Sequence, residues 1–234
     1  MKVRIQFSKH GVMKFIGHLD VMRYFQKAIR RAGIDIAYSG GFSPHQIMSF
    51  AAPLGVGLES DGEYLDIEVN SHNGAEDMKA ALNAVMAEGI EILSITALPE
   101  HAKNAMASVA AAGYILRFRD GYEPDFVWKE ALEVFFEKES IPFIKHTKKS
   151  ELTLDLKPAI YEHRLLENDS IYLLVNASSS GNIKPSMVME AFFADNGKEL
   201  SQFALEIIRT DTYMNVGTEE HPVFAALRDA GEDF

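Results

Sequence analysis

The sequence predicts an α+β protein built from two consecutive units that share one β-α-β-β-α-β order. Three observations predict it. Period-two stretches alternate with period-3.6 stretches, and glycine or proline marks many of the changes. Matching elements also recur at a near-constant offset: Val3 to Ile115 is 112 residues, Met78 to Val188 is 110, and Ile90 to Phe203 is 113. No residue-level identity accompanies the offset, so the repeat is one of architecture.

The first strand is expected over residues 2–8, with Val3, Ile5 and Phe7 on one face and Arg4 and Gln6 on the other, a half-buried pattern. From His18 the spacing turns helical. Leu19, Met22, Phe25, Ile29 and Ala32 fall on one side, and Gly33 stops the run. Extended pieces follow at 34–38, 47–51 and 63–69, with the loop 39–45 between the first two. A second helix places Met78, Ala81, Leu82, Val85 and Met86 inward and ends at Gly89; the strand 90–96 closes the unit. In the second unit, residues 114–118 read as a strand, and Pro124 stands before a helix burying Trp128, Leu132 and Phe135. Residues 141–146, 152–156 and 171–175 read as strands, Pro185 opens a helix, and 203–209 is the last strand. Such an order is the split βαβ, ferredoxin-like arrangement. The predicted domains are 1–100 and 101–214, joined near the Ala-rich stretch 102–112, which reads equally as a linker or as a short helix of the second unit. A polar, irregular tail follows at 215–234.

Composition limits the chemistry. The chain has 234 residues, 47% of them apolar, and no cysteine. That excludes disulfides, thiolate zinc sites, cysteine nucleophiles and cysteine-ligated clusters on this chain. No apolar run approaches the ~20 residues that span a bilayer, and the N-terminus does not read as a signal peptide; a cytoplasmic protein without a membrane partner is expected. The net charge is −11, but residues 1–50 carry +6 and the remainder −17. No phosphate-loop, dinucleotide, serine-elbow or zinc-protease motif is present.

The basic fifth concentrates on the first helix. Arg23, Lys27, Arg30 and Arg31 lie at i, i+4, i+7 and i+8, opposite the apolar stripe, with Lys2 and Arg4 on the first strand positioned to extend them. A cationic stripe of this kind suits phosphate contact, since each neutralised phosphate releases counterions; its plainer reading is a solvated helix face. The loop Gly40-Gly41-Phe42-Ser43 with His45 combines close-approach glycines with an aromatic able to stack on a base; alternatively Phe42 tucks into the core. His18, Asp20 and His45 are candidate acid–base groups, although two residues apart on a helix do not face each other. No cofactor or metal site is expected. Shorter basic groups, 145–149 and Lys157, His163 and Arg164, read as solvated or as an extension of the first.

Phe15-Ile16-Gly17-His18-Leu19-Asp20, Arg30-Arg31-Ala32-Gly33, Tyr38-Ser39-Gly40-Gly41-Phe42-Ser43-Pro44-His45 and Pro53-Leu54-Gly55-Val56-Gly57-Leu58-Glu59-Ser60 resemble a bacterial family of radical-SAM-linked proteins, a domain of unknown function. Its members stand alone beside, or are fused to the C-terminus of, a radical-SAM protein. The match is strongest over residues 1–70; one departure is Gln46, where the family pattern has a basic residue. The resemblance implies a radical-SAM enzyme as partner. Together with the basic stripe it gives the expected function: an accessory module, not itself an enzyme, presenting RNA such as tRNA or rRNA to that enzyme. A looser likeness to tandem ferredoxin-like RNA-processing proteins of CRISPR systems keeps a ribonuclease using His18 and His45 as an alternative. A protein-only adaptor is a third.

Overall fold

The computed structural model describes residues 1–146 and 151–234, and the chain divides into two compact units. The fold is α+β with mostly antiparallel strands. The first unit is formed by residues 1–110 together with 209–234, the second by 111–208.

In the first unit, β1 (Lys2–Lys9) leads through a 3-10 turn (Gly11–Phe15) into α1 (His18–Arg31). Then come β2 (Met48–Phe50), β3 (Glu59–Glu68), α2 (Ala75–Asn83), β4 (Ile90–Ala97) and the single-turn α3 (Ala105–Ser108). β1 lies between β4 and β3, and β2 pairs with the far end of β3 through Met48–Ile67 and Phe50–Leu65. The strand order is therefore β4-β1-β3-β2. Residues 34–38 make isolated bridges, Ile36 to Val69 and Tyr38 to Gln46, and not a continuous strand. Val3, Ile5 and Phe7 pack against Val21, Phe25 and Ile29 of α1 and Met78 and Leu82 of α2, as their spacing requires.

β1 departs from the half-buried expectation, because Arg4, Gln6 and Ser8 on its other face are also buried. The turn at Leu227 and the segment around Ala105 cover that face. β10 (Leu205–Asn215) runs beside β3, and β11 (Phe224–Ala226) pairs with β10. A 3-10 turn (Leu227–Ala230) then lays the fully buried Leu227 with Tyr64 and Ala105. The tail at 215–234 is thus structured, correcting the expectation of an irregular one; Glu232 bridges Ala97 and the Phe234 carbonyl accepts from the Ala75 N–H. The approach of β10 to β3 needs Gly62, where a Cβ would stand 2.4 Å from the Asp211 Cα.

The second unit holds β5 (Ala111–Phe118), α4 (Trp128–Glu137), β6 (Pro142–His146), β7 (Glu151–Asp155), β8 (Ile160–Leu165), β9 (Ile171–Asn176) and α5 (Pro185–Asp195). Its strands run β5-β9-β8, with residues 205–208 at the start of β10 beside β5. β6 and β7 form a separate hairpin, and the strand beside β9 is β8, which the sequence pattern does not reveal. Its core joins Leu116, Leu173 and Val175 to Leu132, Phe135, Val188 and Phe192. No helix among the described residues is long and apolar enough to cross a membrane.

Candidate functional site

The α1 cations stand as the spacing requires. Arg23, Lys27, Arg30 and Arg31 are all exposed, opposite the buried Val21, Phe25, Ala28 and Ile29. Arg23 makes a 3.4 Å exposed contact with Asp20, Arg30 donates to the Gln26 carbonyl, and Arg31 donates to the Val85 carbonyl. Neither Arg30 nor Arg31 has a carboxylate partner in these contacts, and an exposed i,i+3 pair such as Arg23–Asp20 is worth well under about 1 kcal/mol. The face is therefore free to meet anions.

The loop after α1 is held open at its base by a clasp. The Ser39 N–H donates to the His45 carbonyl, the His45 N–H returns to Ser39 Oγ at 3.1 Å, and His45 Nδ1 meets the same Oγ at 2.8 Å. Gly40, Gly41, Phe42, Ser43 and Pro44 project into solvent, with Gly41 at φ +97°, a conformation that favours glycine. Phe42 is fully exposed and not part of the core. Gln46 is buried and its Nε2 donates to the Gln26 carbonyl, which places the base of the loop beside the middle of α1.

Two predicted cations divide. Lys2 is exposed, whereas Arg4 is buried and locked to Asp66 through Nε and Nη2 at 2.8 and 2.9 Å. Its Nη1 donates to the Leu227 carbonyl. Arg4 therefore cannot reach a phosphate, because the Leu227 and Lys103 carbonyls close over its guanidinium. His18, Asp20 and His45 are not brought together: His18 packs edge-on against Phe50, Asp20 faces Arg23, and His45 belongs to the clasp. His10 instead takes two carboxylates, Glu59 at 3.0 Å and Asp61 at 2.8 Å. Hydrogen bonds from His10 and then Lys14 hold the Glu59 carboxyl below its ordinary value. No group of three metal-ligating side chains is found among the described residues.

In the second unit Lys157 is turned to the Phe136 carbonyl, His163 stacks on Phe136 at 4.1 Å, and Arg164 lies over Tyr172 and pairs with Glu162. These groups serve local packing. Residues 147–149 of the basic run lie outside the described residues.

A site that sequence reasoning missed opens at the N-terminal end of α1. Phe7, Val21, Phe50 and Leu54 wall a small open pocket, with His18, Lys9 and Glu63 lining it as well. Lys9 and Glu63 are both nearly fully buried. The Lys9 ammonium donates to the Ile16 carbonyl at 3.2 Å. Glu63 Oε1 accepts from Ser60 Oγ at 2.7 Å and from Arg209 at 2.8 Å. Burial pushes the Lys9 amine below its ordinary value, opposed by Glu63 and assisted by Arg209. A signal was present in the pattern: Lys9 and Glu63 continue the odd-numbered apolar parities of Val3-Ile5-Phe7 and Leu65-Ile67-Val69, where a charge is unexpected.

A family model described as an uncharacterised protein conserved in bacteria, DUF2344, matches residues 2–185. No curated protein matches the chain. Among solved structures, one chain of a Cbf5–Nop10–Gar1 complex is similar at a TM-score of 0.49 and 10% identity. The similarity covers 90% of this chain and 48% of that one, so this chain spans about half its length.

Proposed function

The chain belongs to the bacterial family DUF2344, and we propose that it is an accessory RNA-binding module serving a separate enzyme. One observation carries the reading: an exposed helix face of four cations, Arg23, Lys27, Arg30 and Arg31, beside a clasped loop that holds Phe42 in solvent. The cations suit phosphates, and the ring suits an unstacked base. Gln46, where a basic residue was expected, is buried against α1 and takes no part. The opposite face of the first unit's sheet, where many sheet-type RNA binders stack bases, is covered by α3 and the C-terminal return; RNA therefore meets α1 and the loop. The enzyme served is a radical-SAM protein, an assignment resting on the sequence resemblance alone, and the substrate class is a structured RNA such as tRNA or rRNA. We further read the strand orders β4-β1-β3-β2 and β10-β5-β9-β8 as two ferredoxin-like units, the β6–β7 hairpin being an insertion in the second.

The test is a fluorescence-anisotropy titration with bulk tRNA and with single-stranded RNA at about 50 and 200 mM salt. The wild type is expected to bind and to weaken steeply with salt. Reversing Arg23, Lys27 and Arg31 to Glu should reduce the slope of log K against log salt concentration by roughly 0.7–0.9 for each phosphate no longer neutralised. Unchanged binding by the reversed protein would remove the RNA reading.

A further inference from the structure

A second exposed aromatic stands at the head of α1. Phe15 is 65% exposed, and Leu19 and Val56 are each 60% exposed. Ile16, between Phe15 and the Gly17 N-cap, packs into the core cluster that contains Val21, which fixes how the chain enters the helix. Polar anchors tie the turn down further. The Gly57 N–H donates to the Lys14 carbonyl at 2.8 Å, which brings Val56 alongside. Lys14 pairs with Glu59 at 2.9 Å, and the Lys9 ammonium reaches the Ile16 carbonyl at 3.2 Å. Leu19 is also in line with the cations, because Leu19, Arg23, Lys27 and Arg30 follow at i, i+4, i+8 and i+11 on one side of the helix.

We infer that Phe15 is a second base-stacking site, and that the RNA is held as a single strand laid along α1 from Arg30 toward Phe15. The inference rests on the RNA reading of α1 and adds to it the form of the RNA: unpaired, with its bases free. Gln46 joins the loop of Phe42 to Gln26, while Phe15 precedes Gly17 at the other end of the stretch. From Gly17 to Gln26 the helix is about 14 Å long at about 1.5 Å per residue, roughly four nucleotides of a stacked strand at ~3.4 Å each. Arg23 lies within that span, and Lys27 and Arg30 continue the line beyond it. A paired helix keeps its bases stacked inside and offers neither ring a base face. Charge at the Phe15 end is already engaged: Lys14 and His10 hold Glu59, His10 holds Asp61, and Arg23 faces Asp20. The Lys14 ammonium also sits 5.7 Å from the Phe15 centroid, one more restraint on the ring. Phe15 therefore contributes stacking, with Leu19 and Val56 widening the apolar surface, and the phosphates are left to the helix cations.

Fluorescence anisotropy with the full chain tests it, using an RNA of about twelve nucleotides without self-pairing, alone and annealed to its complement. Phe15→Leu keeps an apolar side chain and removes the ring; Phe15→Trp keeps a ring. Phe15→Leu is expected to bind the single strand about tenfold more weakly than the wild type, at about 50 and 200 mM salt alike. The slope of log K against log salt concentration then stays at the wild-type value, unlike that of the charge-reversed protein. Phe15→Trp should bind the strand at least as well as the wild type, and the duplex should not distinguish Phe15→Leu from the wild type. Wild-type strand binding by Phe15→Leu, an equal loss on strand and duplex, or a matching loss in Phe15→Trp would each overturn the inference, while the reading of α1 is decided separately by the reversal of Arg23, Lys27 and Arg31. Absence of any strand binding by the wild type would remove both.

Discussion

Arg4 makes two bonds to Asp66 and reaches the Leu227 and Lys103 carbonyls, while Asp66 also accepts from the Ala105 N–H. Removing one partner of such a buried pair strands the other, so Arg4→Met should lower stability by about 3–5 kcal/mol in urea unfolding. Phe42→Ala should leave the urea midpoint unchanged, since the ring touches solvent, yet cost about 1–3 kcal/mol in single-stranded RNA affinity. Glu59 behaves differently again. Its carboxyl is depressed in the folded protein, so its contribution is fully present above the unfolded value of about 4.3 and is lost as pH falls through the folded value. Glu59→Gln should therefore cost about 1 kcal/mol or less at pH 7, with the gap to wild type closing in acid, as urea titrations at neutral and acidic pH would show. At this scale the sequence was half legible. Exposure of the four α1 cations follows from their spacing opposite an apolar stripe. Burial of Arg4 does not, because its cover comes from Leu227, more than 200 positions away.

Elements were legible where amphipathic period and local stops agree. α1 and β4 lie nearly where their residues place them, since an apolar stripe on one face leaves a helix or strand one way to sit. β8 escapes the pattern because Tyr161, Glu162, His163 and Arg164 read as polar chain, although an edge strand needs only one apolar flank. The pocket, too, depends on elements far apart in sequence. β1 brings Lys9, the chain just after β2 brings Leu54, β3 brings Glu63, and β10 brings Arg209 to hold it. Only the misplaced charges on two apolar stripes hinted at it. At this scale Gly62→Ala is informative: the added methyl group meets the Asp211 backbone and forces β3 and β10 apart, so a lower thermal midpoint is expected with α1 and its cations undisturbed.

The whole chain is not two beads in succession. The first unit is completed by residues 209–234, and along the chain the second unit is inserted between residues 110 and 209. Leu227→Ala should therefore cost the first unit about 2–5 kcal/mol, as a core deletion would, despite lying in a segment that reads as a polar tail; differential scanning calorimetry would register it. The return also fixes an order of events during synthesis. The face of β1 that bears Arg4 stays uncovered until residues 209–234 have been made, roughly 6–25 s after residue 110 at about 5–20 residues per second. For that interval the nascent chain carries a half-built sheet whose Arg4–Asp66 pair lacks its Leu227 cover, so any translational pause within residues 111–208 lengthens its exposure to chaperones and proteases.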